Sequence, residues 1–521
     1  MSDKEYYSGI VNLTSRGLNT FKARHLLNPD EAPVFDNITT SNVLGAIRKR
    51  DGYAQILVGA FLSHFPYDLQ KYKFNENTAL NFYSSLSHLT LTSNAVIHQS
   101  NSTLTVHTNI TGAAIINRPY FSFFNNIVYI SNAIGGLFKH TVLGGAITAV
   151  PAPGVAANRP AKLQAIATFQ GRLWLAKGWP IDVSGVEKDS STIYASALNN
   201  GDDWTTTGEN GLFNRPVFPN ENGNIRALLA TKEILYIFKD SGVYGLYGDT
   251  PSNYRIDPIL SFGLNSKLDF SSTMSLCKPF AYNDTVFFST IEGAYVLRGR
   301  NYVRISDPLR KSDGFSALFI PGFIGRHGNQ IAFGPDTSAG KSTLFVYDTD
   351  IETWSKYLIA NNTVITRGMI DIGKDQIILA QKDDGTGNII FLDSLTGIGT
   401  YNDAGATYTM AFETKDYDFN EFDVMKQLRE IYVFAKATGT TTITVQVIAD
   451  GVNKGTAGTI NVATTGGRVE VVGKIQVPAS LNAKGRRFGL RFTNTSSLEI
   501  EIRGYSMKAV KIADRELTGD V

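Results

Sequence analysis

One pattern recurs through the middle of this 521-residue chain and limits its fold more than any other: a polar or glycine start, an alternating apolar strand, a turn, and a second strand ending in an aromatic. The copies are NNIVYISNAIGGLFKH (125–140), QGRLWLAKG with STIYASA (170–197), KEILYIFKDSGVYGLYG (from 232), NDTVFFSTIEGAYVLRG (from 283), GNQIAFG with STLFVYD (328–348) and KDQIILAQKDDGTGNIIFLD (374–393). Strand starts near 126, 171, 233, 284, 329 and 375 give spacings of 45, 62, 51, 45 and 46 residues. A four-stranded propeller blade needs about 40–50 residues, because each sheet buries its faces against the next. Leu235 and Ile237, with Val243 and Leu246 across the Asp240–Gly242 turn, show the period of two that a strand requires. HLTLTSNAVIHQ and STLTVHTNI, within 50–120, offer one more blade. The expected fold is an all-β propeller of about six blades, with five to seven compatible with the spacing.

Two regions fall outside this repeat. Residues 1–50 read as a loop-rich N-terminal extended arm and linker, with the propeller over 51–400. Residues 401–521 begin a different alternation (TYTMAFETKDYDF, LREIYVFAKA, TTITVQVIAD, GRVEVVGKIQV, RFGLRFTN, SLEIEIRGYSMKAV), which predicts a C-terminal β-sandwich-like domain. The boundary is expected near Gly397 to Gly405. Only 18% of residues are charged, while 48 Gly, 23 Tyr and 31 Phe suit strands and tight turns. That balance excludes coiled coils, helical solenoids and disordered tails.

The net charge of +2 shows no basic excess of the kind that marks nucleic-acid or anionic-membrane binding. The single Cys277 forms no internal disulfide. The N-terminus has no secretory pattern, and no run approaches 18 consecutive apolar residues, so no membrane span is expected.

Motifs for chemistry fail on inspection. GPDTSAGKST (334–343) has five residues between Gly334 and Gly340 where a phosphate loop has four, and LFVYD after it reads as a strand rather than a helix. The seven histidines are scattered without HxH or HExxH spacing, and there is no GxSxG elbow. ALNNGDDW (197–204) resembles the Asp-box turn of sialidases, and VYDTDIETWSKY (346–357) a kelch-type outer strand; both staple blades and carry no chemistry. Arg298, Arg300 and Arg304 sit close in sequence, but on one strand and its turn they need not converge. The expectation is a protein that is not an enzyme, with no catalytic residues, metal or cofactor. The clusters Arg48, Lys49, Arg50 and Lys484, Arg486, Arg487, Arg491 read as contacts to a protein neighbour or as solvated edges; Arg48, Lys49, Arg50, Arg486 and Arg487 are the candidate assembly contacts.

The opening residues then become informative. Gly17, Leu18 and Asn19, Glu31 and Ala32, Asn37, then Gly45, Arg48, Arg50, Gly52 and Tyr53 follow in order a pattern shared by structural proteins of tailed phages. With QGRLWLAKG, TIYASALNNGDDW and KEILYIFKDSGVYGLYGD, the chain resembles the propeller-bearing tail hub, or nozzle (tail tubular B-like, tail stabilisation), of short-tailed bacteriophages. That resemblance implies a homohexameric ring in the virion tail, below the portal and adaptor and possibly touching tail fibres, through which genomic DNA passes without sequence-specific binding. Under it, the N-terminal arm orders on a neighbour, and deleting residues 1–40 leaves the propeller folded. The other readings are a receptor- or glycan-binding virion propeller and, below it, a sialidase-like hydrolase.

Overall fold

The computed structural model describes residues 5–7, 16–40, 45–55, 61–62, 65–72, 81–87, 96–100, 107–109, 120–132, 136–141, 146–151, 165–176, 191–219, 221, 223–240, 242–264, 278–290, 293–309, 323–327, 329–334, 343–359, 364–371, 377–383, 386–392, 401–403, 406–463 and 469–512. Nearly all the regular structure is β, arranged as a propeller joined to a two-sheet sandwich.

Seven four-stranded antiparallel units follow one another among the described residues. The first four run from Phe65–Tyr72 to His107–Asn109, from Tyr120–Phe124 to Thr148–Ala149, from Ala165–Phe169 to Phe213–Pro216 and from Ile225–Ala230 to Arg255–Leu260. The fifth runs from Phe280–Tyr282 to Asn301–Arg304 and the sixth from Phe323–His327 to Thr353–Leu358. The seventh has three consecutive strands, Val364–Asp371, Ile377–Asp383 and Thr386–Leu392, and takes its fourth, Tyr53–Gln55, from before the first blade. The first strand of each blade lies beside the first strand of the next, and that of the seventh beside that of the first, so the circle closes. The six hairpin copies are blades two to seven, and the 50–120 segment holds the first.

Both faces of a middle blade are buried, which explains runs such as RLWLA and LYIFK. Successive side chains on a strand point to opposite faces. Leu173 and Leu175 pack with Tyr129 and Leu137 of blade two, while Trp174 and Ala176 pack with Leu235 and Ile237 of blade four. Tyr236 and Phe238 turn the other way, onto Val286 and Phe288 of blade five; the Phe238 and Phe288 rings lie 5.5 Å apart.

The Asp-box-like turn ties blade three to blade two. Asn199 takes φ +57°, and Trp204 is buried with its Nε1 donating to the Gly201 carbonyl at 3.0 Å. A Cβ on Gly201 would stand 2.6 Å from the Tyr129 ring, and the Tyr129 hydroxyl bonds Asp202 at 3.2 Å. This staple makes contacts between blades and needs no chemistry of its own. Gly334 ends a strand and Thr343–Asp348 is the next strand, so no helix N-terminus follows the GKST sequence; positions 335–342, like Cys277 and Trp179, lie outside the described residues.

The sandwich draws on both ends of the chain. One sheet runs Val469–Gln476, Lys426–Ala437, Ile500–Lys511, Ile47–Lys49, Ile38–Thr40, with Glu5–Tyr7 also paired to Ile500–Lys511. The other places Val34–Asp36 between Thr353–Leu358 of blade six, to which it is parallel, and Met410–Glu413, to which it is antiparallel. Phe488–Asn494, Thr441–Ala449 and Val452–Val462 continue that sheet, giving eleven strands that span a blade and half of the sandwich. One apolar core accordingly runs from Phe333 and Trp354 through Leu18, Phe35, Ile38 and Ile47 to Phe412, Phe492 and Tyr505.

This corrects the reading of residues 1–50 as an arm that orders on a neighbour. Their strands are two or three residues long and lie inside this chain, between its propeller and its sandwich. The expected boundary near Gly397 to Gly405 falls largely on residues outside those described.

Candidate functional site

The densest array of buried charge sits where the sixth blade meets the sandwich, and the N-terminal segment builds it. Arg50 follows the strand Ile47–Lys49 and is 1% exposed; its partner Asp403 is 0% exposed. A guanidinium has five N–H donors, and here all five are used. Nε donates to Asn37 Oδ1 at 2.9 Å, Nη1 to the Asp51 carbonyl and Asp403 Oδ1 at 2.9 Å each, and Nη2 to Asp403 Oδ2 at 2.6 Å and the Leu358 carbonyl at 3.1 Å. The guanidinium also stacks over Tyr408 at 3.8 Å from the ring centre, and the Tyr408 hydroxyl donates to the Arg50 carbonyl. A bidentate, fully satisfied pair of this kind meets the conditions under which a buried ion pair is tolerated.

Asn37 is the second hub. It holds φ +56°, a left-handed conformation that asparagine adopts more readily than most residues. Its Nδ2 donates to the Thr409 carbonyl at 2.7 Å, and its Oδ1 accepts from Arg50 and from the Leu358 N–H at 2.8 Å. One side chain thereby bonds the blade, the sandwich side and the N-terminal segment. Upstream, Gly17 takes φ +60° against blade six, where a Cβ would stand 2.7 Å from the Trp354 carbonyl oxygen. Asn19 Nδ2 donates to the buried Glu31 at 3.0 Å, and Lys22 Nζ pairs with Glu31 at 2.9 Å. The Thr20 and Phe21 N–H groups donate to the Pro308 carbonyl at 2.8 and 3.1 Å, which ties the same segment to the end of blade five.

Lys49 is 0% exposed and donates to the carbonyls of Tyr408, at 3.0 Å, and Ser496. Burial, then the neighbouring Arg50 cation, lowers its pKa from 10.5 to about 8 against the opposing pull of Asp403. Above pH 8 the folded lysine has released a proton that the unfolded one still holds, so this group makes stability rise with pH until the unfolded lysine also loses its proton, near its ordinary pKa of 10.5. Below pH 8 both states carry the proton and the penalty is constant. Lys49→Met is expected to reduce the slope of stability against pH in that window, read from urea midpoints; an unchanged slope would refute the assignment.

The five candidate assembly contacts do not form one surface. Lys49 and Arg50 are interior, which corrects their reading as contacts to a neighbour: a carboxylate and backbone carbonyls of the same chain satisfy them. Arg48 is half-buried and pairs with Asp51 at 3.2 Å and Glu499 at 3.8 Å. Arg486 is exposed and Arg487 half-buried, on a turn whose N–H groups bond the Asp450 carboxylate at 2.9–3.1 Å. Arg491, from the same sequence cluster, turns to Glu413 at 3.4 Å. Arg298, Arg300 and Arg304 separate likewise, onto Thr285, Asp257 and Asp307. Among the described residues no group of three or more His, Cys, Asp or Glu could hold a metal ion, and no helix is long and apolar enough to cross a membrane.

No protein-family model matches the sequence, and no curated protein is similar to it. Solved structures do match. YCF48 bound to a D1 peptide is 12% identical over 69% of this chain and 99% of its own, with a TM-score of 0.40. The AfRom2 CNH domain is 11% identical over 66% of this chain and 99% of its own, TM-score 0.39. PorZ, a surface component of the type-IX secretion system of Porphyromonas gingivalis, is 10% identical over 80% of this chain and 56% of its own, TM-score 0.41. These are β-propeller proteins, and none of them is a phage tail protein.

Proposed function

We propose that this chain is a structural, non-enzymatic protein of the tail of a short-tailed bacteriophage, a hub or nozzle whose copies form a ring around the DNA ejection channel. One observation carries the reading: among the residues that open the resemblance to such hubs are those that build the joint. Asn37 and Arg50 bond both the propeller and the sandwich side, Gly17 seats the N-terminal segment on blade six, and Asn19 and Glu31 hold that segment together. A ring element must hold its two modules at one angle, because a heterologous ring closes only if the rotation per copy is constant. A sheet continuous from blade six into the sandwich meets that need. The small net charge also suits a passage that DNA must leave, since tight phosphate binding would retain it. In this reading about six copies sit below the portal and adaptor. A glycan-binding role is less favoured, because the described tryptophans, Trp174, Trp204 and Trp354, are all buried.

Negative-stain microscopy of intact tails labelled through an affinity tag on this chain tests the proposal. The expected image is a tagged ring with a central pore wide enough for duplex DNA. Absence of the tag from tails, or a monomer that hydrolyses a glycoside, would overturn it.

A further inference from the structure

The rim between blades four and five presents an arrangement that the joint does not use. The turn Gly299–Arg300 joins the last two strands of blade five, and Arg300 reaches across to blade four. There its Nη2 meets Asp257 Oδ2 and its Nε lies 3.4 Å from the Tyr247 hydroxyl. Arg255, on the outermost strand of blade four, places its Nε 3.0 Å from the same Asp257 oxygen. The two guanidinium groups stand 5.4 and 5.6 Å from the centre of the Tyr247 ring. Two cations thus share one carboxylate, with 55% and 68% of their side chains exposed, and N–H donors remain toward solvent.

Two residues beyond Arg300 stand two exposed apolar residues, Tyr302 at 50% and Val303 at 62%, on opposite faces of the strand. The Tyr302 ring is held edge-on to Phe262 at 5.3 Å, so the platform is anchored. Both residues belong to Asn301–Arg304, an outer strand that among the described residues pairs only with Gly293–Arg298. An open strand edge, exposed aromatic and aliphatic groups, and adjacent under-neutralised arginines are the elements of strand-addition recognition.

We infer that this rim docks an extended acidic segment of a partner protein, added edge to edge along Asn301–Arg304, with its carboxylates beside Arg255, Arg300 and Tyr302 on the blade-four face and its apolar side chains beside Val303 on the opposite face. Charge selects the occupant. A second copy paired rim to rim would set arginine against arginine. A nucleic acid has no backbone amides to pair with the strand edge and would leave Val303 without a partner. An alternating acidic peptide satisfies the strand edge with its backbone, the cations with the carboxylates of one face and Val303 with the apolar side chains of the other. The inference does not depend on the tail reading.

The test uses the purified full-length chain and a fluorescein-labelled, end-capped peptide that alternates glutamate with valine and tyrosine, with a lysine-for-glutamate peptide as control. Anisotropy titrations are expected to show the glutamate peptide bound at least tenfold more tightly, with affinity falling as salt is raised. Arg255→Glu/Arg300→Glu should remove that preference, and Val303→Lys, at an exposed position, should weaken binding several-fold with an unchanged circular dichroism spectrum. Equal binding of the two peptides, binding unaffected by both variants, or complete competition by single-stranded DNA would overturn the inference. The isolated chain is measured throughout, so the outcome is separate from whether tail rings form.

Discussion

Deleting residues 1–40 is expected to abolish folding of the whole chain. The deletion removes Leu18, Phe35 and Ile38, each no more than 1% exposed, from the largest apolar core. At roughly 1.5–3 kcal/mol for each large buried side chain, that loss is about 5–9 kcal/mol, within the range of the total stability of a typical domain. It also removes Val34–Asp36, whose absence leaves two facing strand edges unpaired, at Thr353–Leu358 and at Met410–Glu413. Asn37 goes too, and with it the bonds it makes to Arg50, Leu358 and Thr409. Soluble yield and cooperative urea unfolding, followed by tryptophan fluorescence, report the outcome. A truncated chain with an unchanged unfolding midpoint would show the segment to be an appendage after all.

The second large effect is expected at Arg50 and Asp403. Removing one member of a buried ion pair costs about 3–5 kcal/mol, because the other charge is left uncompensated in the interior. Arg50→Met also deprives Asn37 Oδ1 and the carbonyls of Asp51 and Leu358 of a donor, so its loss should lie at the upper end. Asp403→Leu should cost a similar amount by stranding the cation. The double variant is expected to be much less damaging than the sum of the two, since no charge is left alone. Chemical denaturation of all four proteins measures the coupling. Additive losses, or single losses below about 1 kcal/mol, would mean that the pair is not the keystone that its geometry suggests.

Most of the propeller was legible because its contacts are local. In KEILYIFKDSGVYGLYG both strands and their turn lie within one short stretch, and the pairing Leu235↔Leu246 spans few residues. The seventh blade was only partly legible: its fourth strand, Tyr53–Gln55, pairs with Ile390–Leu392, and no local period announces a partner so distant. The joint was hidden for the same reason. Gly17–Leu18, Glu31–Ala32 and Val34–Asp36 are too short to show alternation, so a segment of staples read as a loop. Lys49 and Arg50 were misplaced because cations are ordinarily exposed unless paired. The missing signal was Asp403, whose place in the joint only the folded chain shows. The device recurs at Lys239, where the carbonyls of Val217, Phe218 and Glu221 lie 2.8, 2.9 and 2.6 Å from Nζ. A lysine closing an apolar run, as in LYIFK, could have flagged that one.

The closure of the seventh blade has a consequence for how the chain comes to be folded. Tyr53–Gln55 waits for strand Thr386–Leu392, and Glu5–Tyr7 waits for Ile500–Lys511, near the other end of the chain. During synthesis the N-terminal strands can form only their short local pairs, such as Ile38–Thr40 with Ile47–Lys49, long before their blade and sandwich partners emerge, while middle blades can already form their hairpins. The N-terminal segment, which lies between the propeller and the sandwich, reaches its final place only after both have their strands. Such long-range pairings slow folding and leave strand edges bare in the interval.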